Sequence, residues 1–367
     1  MKLILKQAAH LLIALVVLYG AVLAISFVLV PRSDTGPRLD TARASSSLFL
    51  TEPKYVFMSR ARLNTPSDKV LLVGASNTLA GFKQRQVQAL LPTIEVHNLA
   101  VGGSNITQIS QVVDLVREVQ TPEARRHNVY VVGLWYGLFA SDKSRWYTSD
   151  RHAGDTDIDI ERYRYGFYRR TDAGAVPVLP PEYLEDGVLL IHPYLVLDRT
   201  ARDLTVSLRE FIGTKKRPIT DEQRDAVVLT DADKRKYLAF WRDYTGQAEA
   251  LGDAPFAALQ HMVDGIVAEG GHVVLVDLPI PQWHADGSVL SADYRRHLDA
   301  MLPHLKSQPG VSVVTIEGGS DSDDFSDEVH PKPRVTPRWA QRLADELSAS
   351  RSAKDTQQSP QLARTPS

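Results

Sequence analysis

The clearest regularity along the chain is an alternation between short, almost continuous apolar runs and longer segments whose apolar residues recur every three to four positions. Runs at 70–73, 94–99, 129–134, 273–278 and 311–316 read as strands. The periodic segments at 82–91, 107–119, 255–269, 291–305 and 336–349 read as helices. Strands apolar on both faces belong in a parallel sheet covered on both sides. The pattern therefore predicts an α/β fold, a three-layer α/β/α sandwich around a mainly parallel five-stranded sheet spanning 69–349. The rhythm breaks between about 140 and 254, where Trp146, Tyr147, Tyr163, Tyr165 and Tyr168 and the stretch VPVLPPEY precede a predicted helix at 231–251. This interval is expected to be an insertion over the sheet edge or the site.

The N-terminus carries a different pattern. Residues 11–30 form 20 consecutive positions without a charge, preceded by Lys2 and Lys6. At about 1.5 Å per helical residue this run can cross a hydrocarbon core of roughly 30 Å. The lysines predict that residues 1–10 stay in the cytoplasm while the remainder is exported. A cleaved signal peptide, with Val22 and Ala24 as a small-residue site, is the competing reading, but its apolar region normally runs only about 7–15 residues. Residues 31–68 read as a polar linker and lead-in to the domain, and 350–367 as a disordered tail. The expected location is the bacterial inner membrane, with a single pass at 11–30 and the domain in the periplasm or outside.

Composition narrows the chemistry. Basic residues number 42 against 44 acidic ones, so no basic field points to nucleic acid. There is no Cys, which excludes disulfides, Cys-ligated metals and a Cys nucleophile. No P-loop, dinucleotide fingerprint or metal-ligand spacing appears, so no cofactor and no metal is expected.

Three stretches could carry a reaction. In KVLLVGASNTLAGF, Ser76 stands at a predicted strand-to-helix junction, where a serine either caps the helix or is presented as a nucleophile. In NLAVGGSNITQ, Gly102 and Gly103 allow a turn whose N–H groups could face a developing oxyanion, although a Gly-Gly turn also has an ordinary structural explanation. In DDFSDEVHPKP, Asp327 and His330 are three residues apart. That spacing can set the carboxylate on one ring nitrogen and leave the other as a base, or it can simply mark an acidic surface loop. His192, His272, His284 and His297 have no ligand-spaced partner, and structural or surface roles are expected for them.

The order of these blocks resembles the SGNH (GDSL-like) hydrolase superfamily, over 69–139 and 271–349. The resemblance implies a flavodoxin-like fold, with Ser76 as nucleophile, Gly103 as second-block glycine and the Asp327–His330 pair as acid and base. DLPIP at 277–281 resembles a strand end that lines the site in several members. The third block usually reads Gly-x-Asn-Asp, whereas here Gly133 is followed by Leu134, Trp135 and Tyr136. Trp135 thus occupies the place of the side-chain oxyanion donor. Asn77, Asn105 or the Trp135 indole are the candidates to replace it, and Asn77, Trp135 and Tyr136 are expected to contact substrate. Membrane-anchored SGNH proteins that assist O-acylation of exported polymers, such as the alginate acetylation and DltD-type proteins, depart from the same block.

The function implied is a membrane-anchored, exported serine acyl-transfer enzyme, an O-acyltransferase or esterase working on an O-acyl group of an envelope polymer through an acyl-serine. Its expected partners are a polymer or glycan acceptor and a membrane-bound acyltransferase. A non-catalytic SGNH-like scaffold that binds polymer or such a partner is the alternative, supported mainly by Trp135. A plain secreted esterase is a third reading.

Overall fold

The five apolar runs assemble into one parallel sheet. The computed structural model describes residues 2–29, 60–141, 220–316 and 318–358, with residue 56 and shorter runs between 163 and 213. After an N-terminal helix, α1 (Lys2–Leu29), the chain enters β1 (Lys69–Val73), α2 (Ser76–Gly81), α3 (Gln84–Leu90), β2 (Glu95–Asn98), α4 (Ile106–Val119) and β3 (Asn128–Leu134). A two-stranded antiparallel hairpin follows, β4 (Tyr168–Thr171) and β5 (Gly174–Pro177). Next come α5 (Asp231–Tyr244), α6 (Asp253–Ala268), β6 (His272–Asp277), α7 (Gln282–Gly287), α8 (Val289–Ser307), β7 (Val311–Thr315) and α9 (Thr336–Gln358). The sheet order is β2-β1-β3-β6-β7, with every neighbouring pair parallel.

All five residues of β1 are buried, which requires cover on both faces. On one face Val70, Leu72, Val96, Val274 and Val276 pack with Phe82, Val87 and Leu91 and with Trp339, Leu343 and Leu347 of α9. On α4, Ile109, Val112, Val113 and Val116 are buried at helical spacing, and α4 packs against α6.

Several boundaries differ from the expectation. The helix predicted to begin near 82 starts at Ser76, breaks at Phe82 and resumes at Gln84–Leu90. Gly81 explains the break: a Cβ there would lie 2.6 Å from the Trp339 ring, so the position stays Gly, a poor helix former. The final helix runs on through Gln358, into the segment expected to be a disordered tail, because no proline follows Pro337, in its first turn, before Pro360. The helix expected at 231–251 ends at Tyr244, where Gly246 (φ 64°) and Gln247 (φ 58°) turn left-handed.

By its contacts the chain falls into two compact units. One compact unit comprises Met1–Ala61 with Arg162–Pro218, and the other comprises Arg62–Glu161 with Ile219–Ser367. The insertion is thus shared, its middle going with the N-terminal helix and α5 going with the sheet. The expected linker at 31–55, and Trp146 and Tyr147 of the insertion, lie outside the described residues.

The sheet's tightest approach gives a stability test. A Cβ on Gly133 would fall 2.2 Å from Thr78 Oγ1. Gly133→Ala is expected to lower stability by about 1–3 kcal/mol through overpacking. Adding Thr78→Ala should return part of that loss, so thermal midpoints of the two single variants and the double variant will be non-additive.

Candidate active site

The site begins where β1 ends. β1 pairs with β2 on one side and β3 on the other, so its carboxyl end opens at the point where the strand order reverses. Gly74 (φ 155°) and Gly133 leave room for one side chain: a Cβ on either would lie 2.0 or 2.2 Å from Thr78 Oγ1. With Thr78 seated there, α2 starts at Ser76, next to the strand end. Ser76 is the first helical residue and is partly exposed, and Ala75 is the N-cap. Ser76 is therefore not the cap. Its own N–H belongs to the opening donors of a helix, which have no partner inside the helix.

The turn after β2 is fastened to this first turn. Val101 N–H donates to Gly74 O at 2.9 Å, and Ser104 Oγ does so at 3.3 Å. Asn98 Nδ2 donates to Phe82 O at 2.9 Å, and Asn98 Oδ1 accepts from Ala100 N–H. As a result Gly102 lies against the serine, where a Cβ would sit 3.8 Å from Ser76 Cβ. Gly103 supplies the left-handed conformation that the turn needs, with φ 73°.

The third piece is the loop before α9. A bridge between Phe325 and Pro331 closes it, Ser326 N–H donates to His330 O at 3.0 Å, and Lys332 N–H donates to Asp324 O at 2.8 Å. Phe325 and Val329 are buried and hold the loop to the core. Asp327 Oδ1 accepts the backbone N–H groups of Val329 (3.0 Å) and His330 (2.8 Å). The same carboxylate lies 2.8–2.9 Å from His330 Nδ1. Asp327 offers only acceptors, so Nδ1 carries the proton and Nε2 is left with its lone pair. His330 Nε2 is 2.8 Å from Ser76 Oγ, 254 positions away in the chain.

The charges favour this tautomer. Burial alone would pull the His330 pKa down, but the Asp327 hydrogen bond and the charges of Asp327 and Glu328 outweigh it and hold His330 above its ordinary value. Burial would likewise raise Asp327, yet the bond and charge of His330 and two backbone N–H groups keep it below the ordinary carboxylate range. Neighbouring Glu328 moves the opposite way, raised by burial and by the Asp327 charge.

The other expected site residues have different surroundings. Asn105 caps α4, accepting from Gln108 N–H at 3.0 Å and donating to Ser141 O at 2.9 Å. Asn77 Oδ1 accepts from Thr78 N–H, while its Nδ2 is buried without a partner among the described residues. Trp135 is buried edge-on against Tyr136 and Trp241, at 5.1 and 5.0 Å between rings, and its Nε1 has no partner among the described residues. Tyr136 was expected to contact substrate, but it is 1% exposed and its hydroxyl lies 2.6 Å from His284 Nε2. A cavity of about 310 Å3 shares the Tyr136–Trp241 wall and is lined also by Arg242, Gln247 and Ser288, but it includes neither Ser76 nor His330. Asp277, in the DLPIP stretch, binds Tyr294 and Arg295 of α8. Of the remaining histidines, His297 stacks on Phe256 at 4.4 Å, and His192 lies outside the described residues.

His284, for which a structural or surface role was expected, has a structural one, and what the sequence did not show is that it reaches the Asp327–His330 loop. It is fully buried, and its Nδ1 lies 2.7 Å from Glu328 O, in the segment between Asp327 and His330. A carbonyl can only accept, so Nδ1 is the protonated nitrogen and Tyr136 donates its O–H to Nε2. Burial lowers the His284 pKa, which keeps the ring in this neutral form. Trp241 Nε1 adds a second tie, 3.2 Å from Glu328 Oε1. Nothing in the spacing of QWHADG marks His284, because its partners are 148 and 44 positions away.

Neither a known protein family nor a curated protein matches the sequence. Tyr136→Phe would leave His284 Nε2 buried without a donor, and it is expected to cost about 1–3 kcal/mol of stability. A denaturant midpoint unchanged from the parent chain would mean that the network contributes nothing.

Proposed function

We propose that this protein is a membrane-anchored serine acyl-transfer enzyme of the SGNH type, acting on an O-acyl group of an envelope or exported polymer. The observation that carries the reading is the line of contacts from Asp327 through His330 to Ser76, with 2.8 Å between His330 Nε2 and Ser76 Oγ. The five sheet strands, numbered among themselves, run 2-1-3-4-5, the doubly wound order that a flavodoxin-like fold requires. The helix Lys2–Leu29 is long and apolar enough to cross a membrane, which supports a single-pass anchor with an exported domain.

In this mechanism His330 Nε2 takes the Ser76 Oγ proton as the oxygen attacks the acyl carbonyl. Asp327 holds the ring and balances the imidazolium. The N–H of Ser76 and the turn at Gly102 and Gly103 face the oxyanion. The C–O bond to the donor then breaks, and the departing oxygen takes the proton from Nε2. An acceptor hydroxyl gives its proton to Nε2 and attacks the acyl-serine, and Ser76 recovers a proton as it leaves. A tether to the membrane raises the local concentration of membrane-bound donor, which favours transfer over hydrolysis.

A fluorophosphonate should form an adduct at Ser76 that disappears in Ser76→Ala and His330→Ala. No adduct at any pH where the chain stays folded would sink the proposal and favour a binding scaffold. The pH profile has a definite sign. His330 acts as a base when neutral, so the labelling rate rises with pH and its midpoint lies above the ordinary histidine value of about 6.5. Asp327→Asn removes the carboxylate that does most to raise His330, and leaves the smaller effect of the Glu328 charge and the burial that lowers it. The midpoint should therefore move to lower pH, while the rate falls by up to about 10⁴-fold.

A further inference from the structure

Within the unit that contains α1, the described residues Leu190, Tyr194, Leu197, Leu204, Leu208 and Phe211 are all at least 57% exposed, Phe211 reaching 87%. Each of these positions from Leu190 to Phe211 is helical. Their spacings are four, three, seven, four and three residues. These spacings match one face of an α-helix, an arc of roughly 100° at about 100° per residue. Ser207 and Arg209 fall outside that arc on either side. Leaving these six apolar side chains in water is costly, at roughly 25 cal/mol per Å2 of apolar surface.

Two observations say what covers it. First, the Leu190 carbonyl accepts a hydrogen bond from the Tyr19 hydroxyl of α1. Tyr19 sits within the uncharged run at 11–30, about 16 Å short of its far end at roughly 1.5 Å per residue. A backbone acceptor held at hydrocarbon depth needs a donor from protein, and Tyr19 provides one. Second, the sequence after the stripe reads Lys215, Lys216, Arg217, which suits anionic lipid headgroups. We propose that the stripe from Leu190 to Phe211 packs into the lipid bilayer beside α1, as a second, amphipathic membrane contact. This rests on the reading of α1 as a membrane anchor and extends the membrane contact into the inserted segment.

The absence of cysteine makes the test direct. Single-cysteine full-length chains, Leu204→Cys, Leu208→Cys and Phe211→Cys on the stripe, Ser207→Cys and Arg209→Cys beside it and Leu18→Cys on α1, are labelled with an environment-sensitive fluorophore. Each is reconstituted into phosphatidylethanolamine–phosphatidylglycerol liposomes, and the fluorophosphonate reaction at Ser76 reports that it is folded. Nitroxides on the lipid acyl chains should quench the stripe labels about threefold more than the labels at 207 and 209, which iodide should quench instead. Iodide quenching along the stripe with lipid quenching at Leu18 overturns the inference and leaves the anchor standing. Iodide quenching at Leu18 as well overturns both. Stripe labels shielded from both quenchers mean that protein, not lipid, covers this face, and also overturn it.

Discussion

The seating of Thr78 against Gly74 and Gly133 is the constraint on which the site depends. Any side chain at either glycine would collide with Thr78 Oγ1. With both positions open, α2 begins against the sheet, and its first residue stands at the strand end where the topology leaves a crevice. The second turn is then fixed by its bonds to the Gly74 carbonyl from Val101 and Ser104. One close approach thus sets both the hydroxyl and the backbone that faces it.

His330 is positioned by different means. The loop 324–332 closes on itself through backbone bonds, and a single carboxylate does two tasks within it. Asp327 Oδ1 gathers two backbone N–H groups, and the same group orients His330. Orientation of the ring and the geometry of the loop are therefore one interaction. Adjacent Asp327 and Glu328 shift in opposite directions because the direct His330 hydrogen bond and two backbone N–H groups outweigh burial at Asp327, whereas burial and the Asp327 charge prevail at Glu328. Glu328 serves instead as an attachment point, its carbonyl held by His284 and its carboxyl by Trp241. The aromatic group of Trp135, Tyr136, Trp241 and His284 acts as a wall that braces this loop, which accounts for large, buried side chains where smaller polar ones were expected.

Much of this was readable from residues in order. The five apolar runs gave the strands because a parallel sheet buried on both faces needs continuous apolar sequence, and all five fall within a residue or two of the observed strands. Asp327 and His330 were readable as a pair because their contact is local, three residues apart. The serine at the strand end was readable for the same reason, since its placement follows from the strand and turn on either side.

What the sequence could not decide was long-range. The 2.8 Å contact across 254 positions, the use of Asn105 as a cap and the bond from Tyr136 to His284 all depend on which segments meet in space. The division of the insertion is of the same kind, because apolar spacing defines a face but does not say what lies against it. By itself the sequence determined the sheet, the apolar N-terminal helix and the pairing of Asp327 with His330, since strand burial, helix length and a three-residue loop are set by neighbours in the chain. Only the tertiary structure decided that these groups converge and what braces them, because a side chain's hydrogen-bond partner is chosen by distance in space, and distant segments come together only when the core packs.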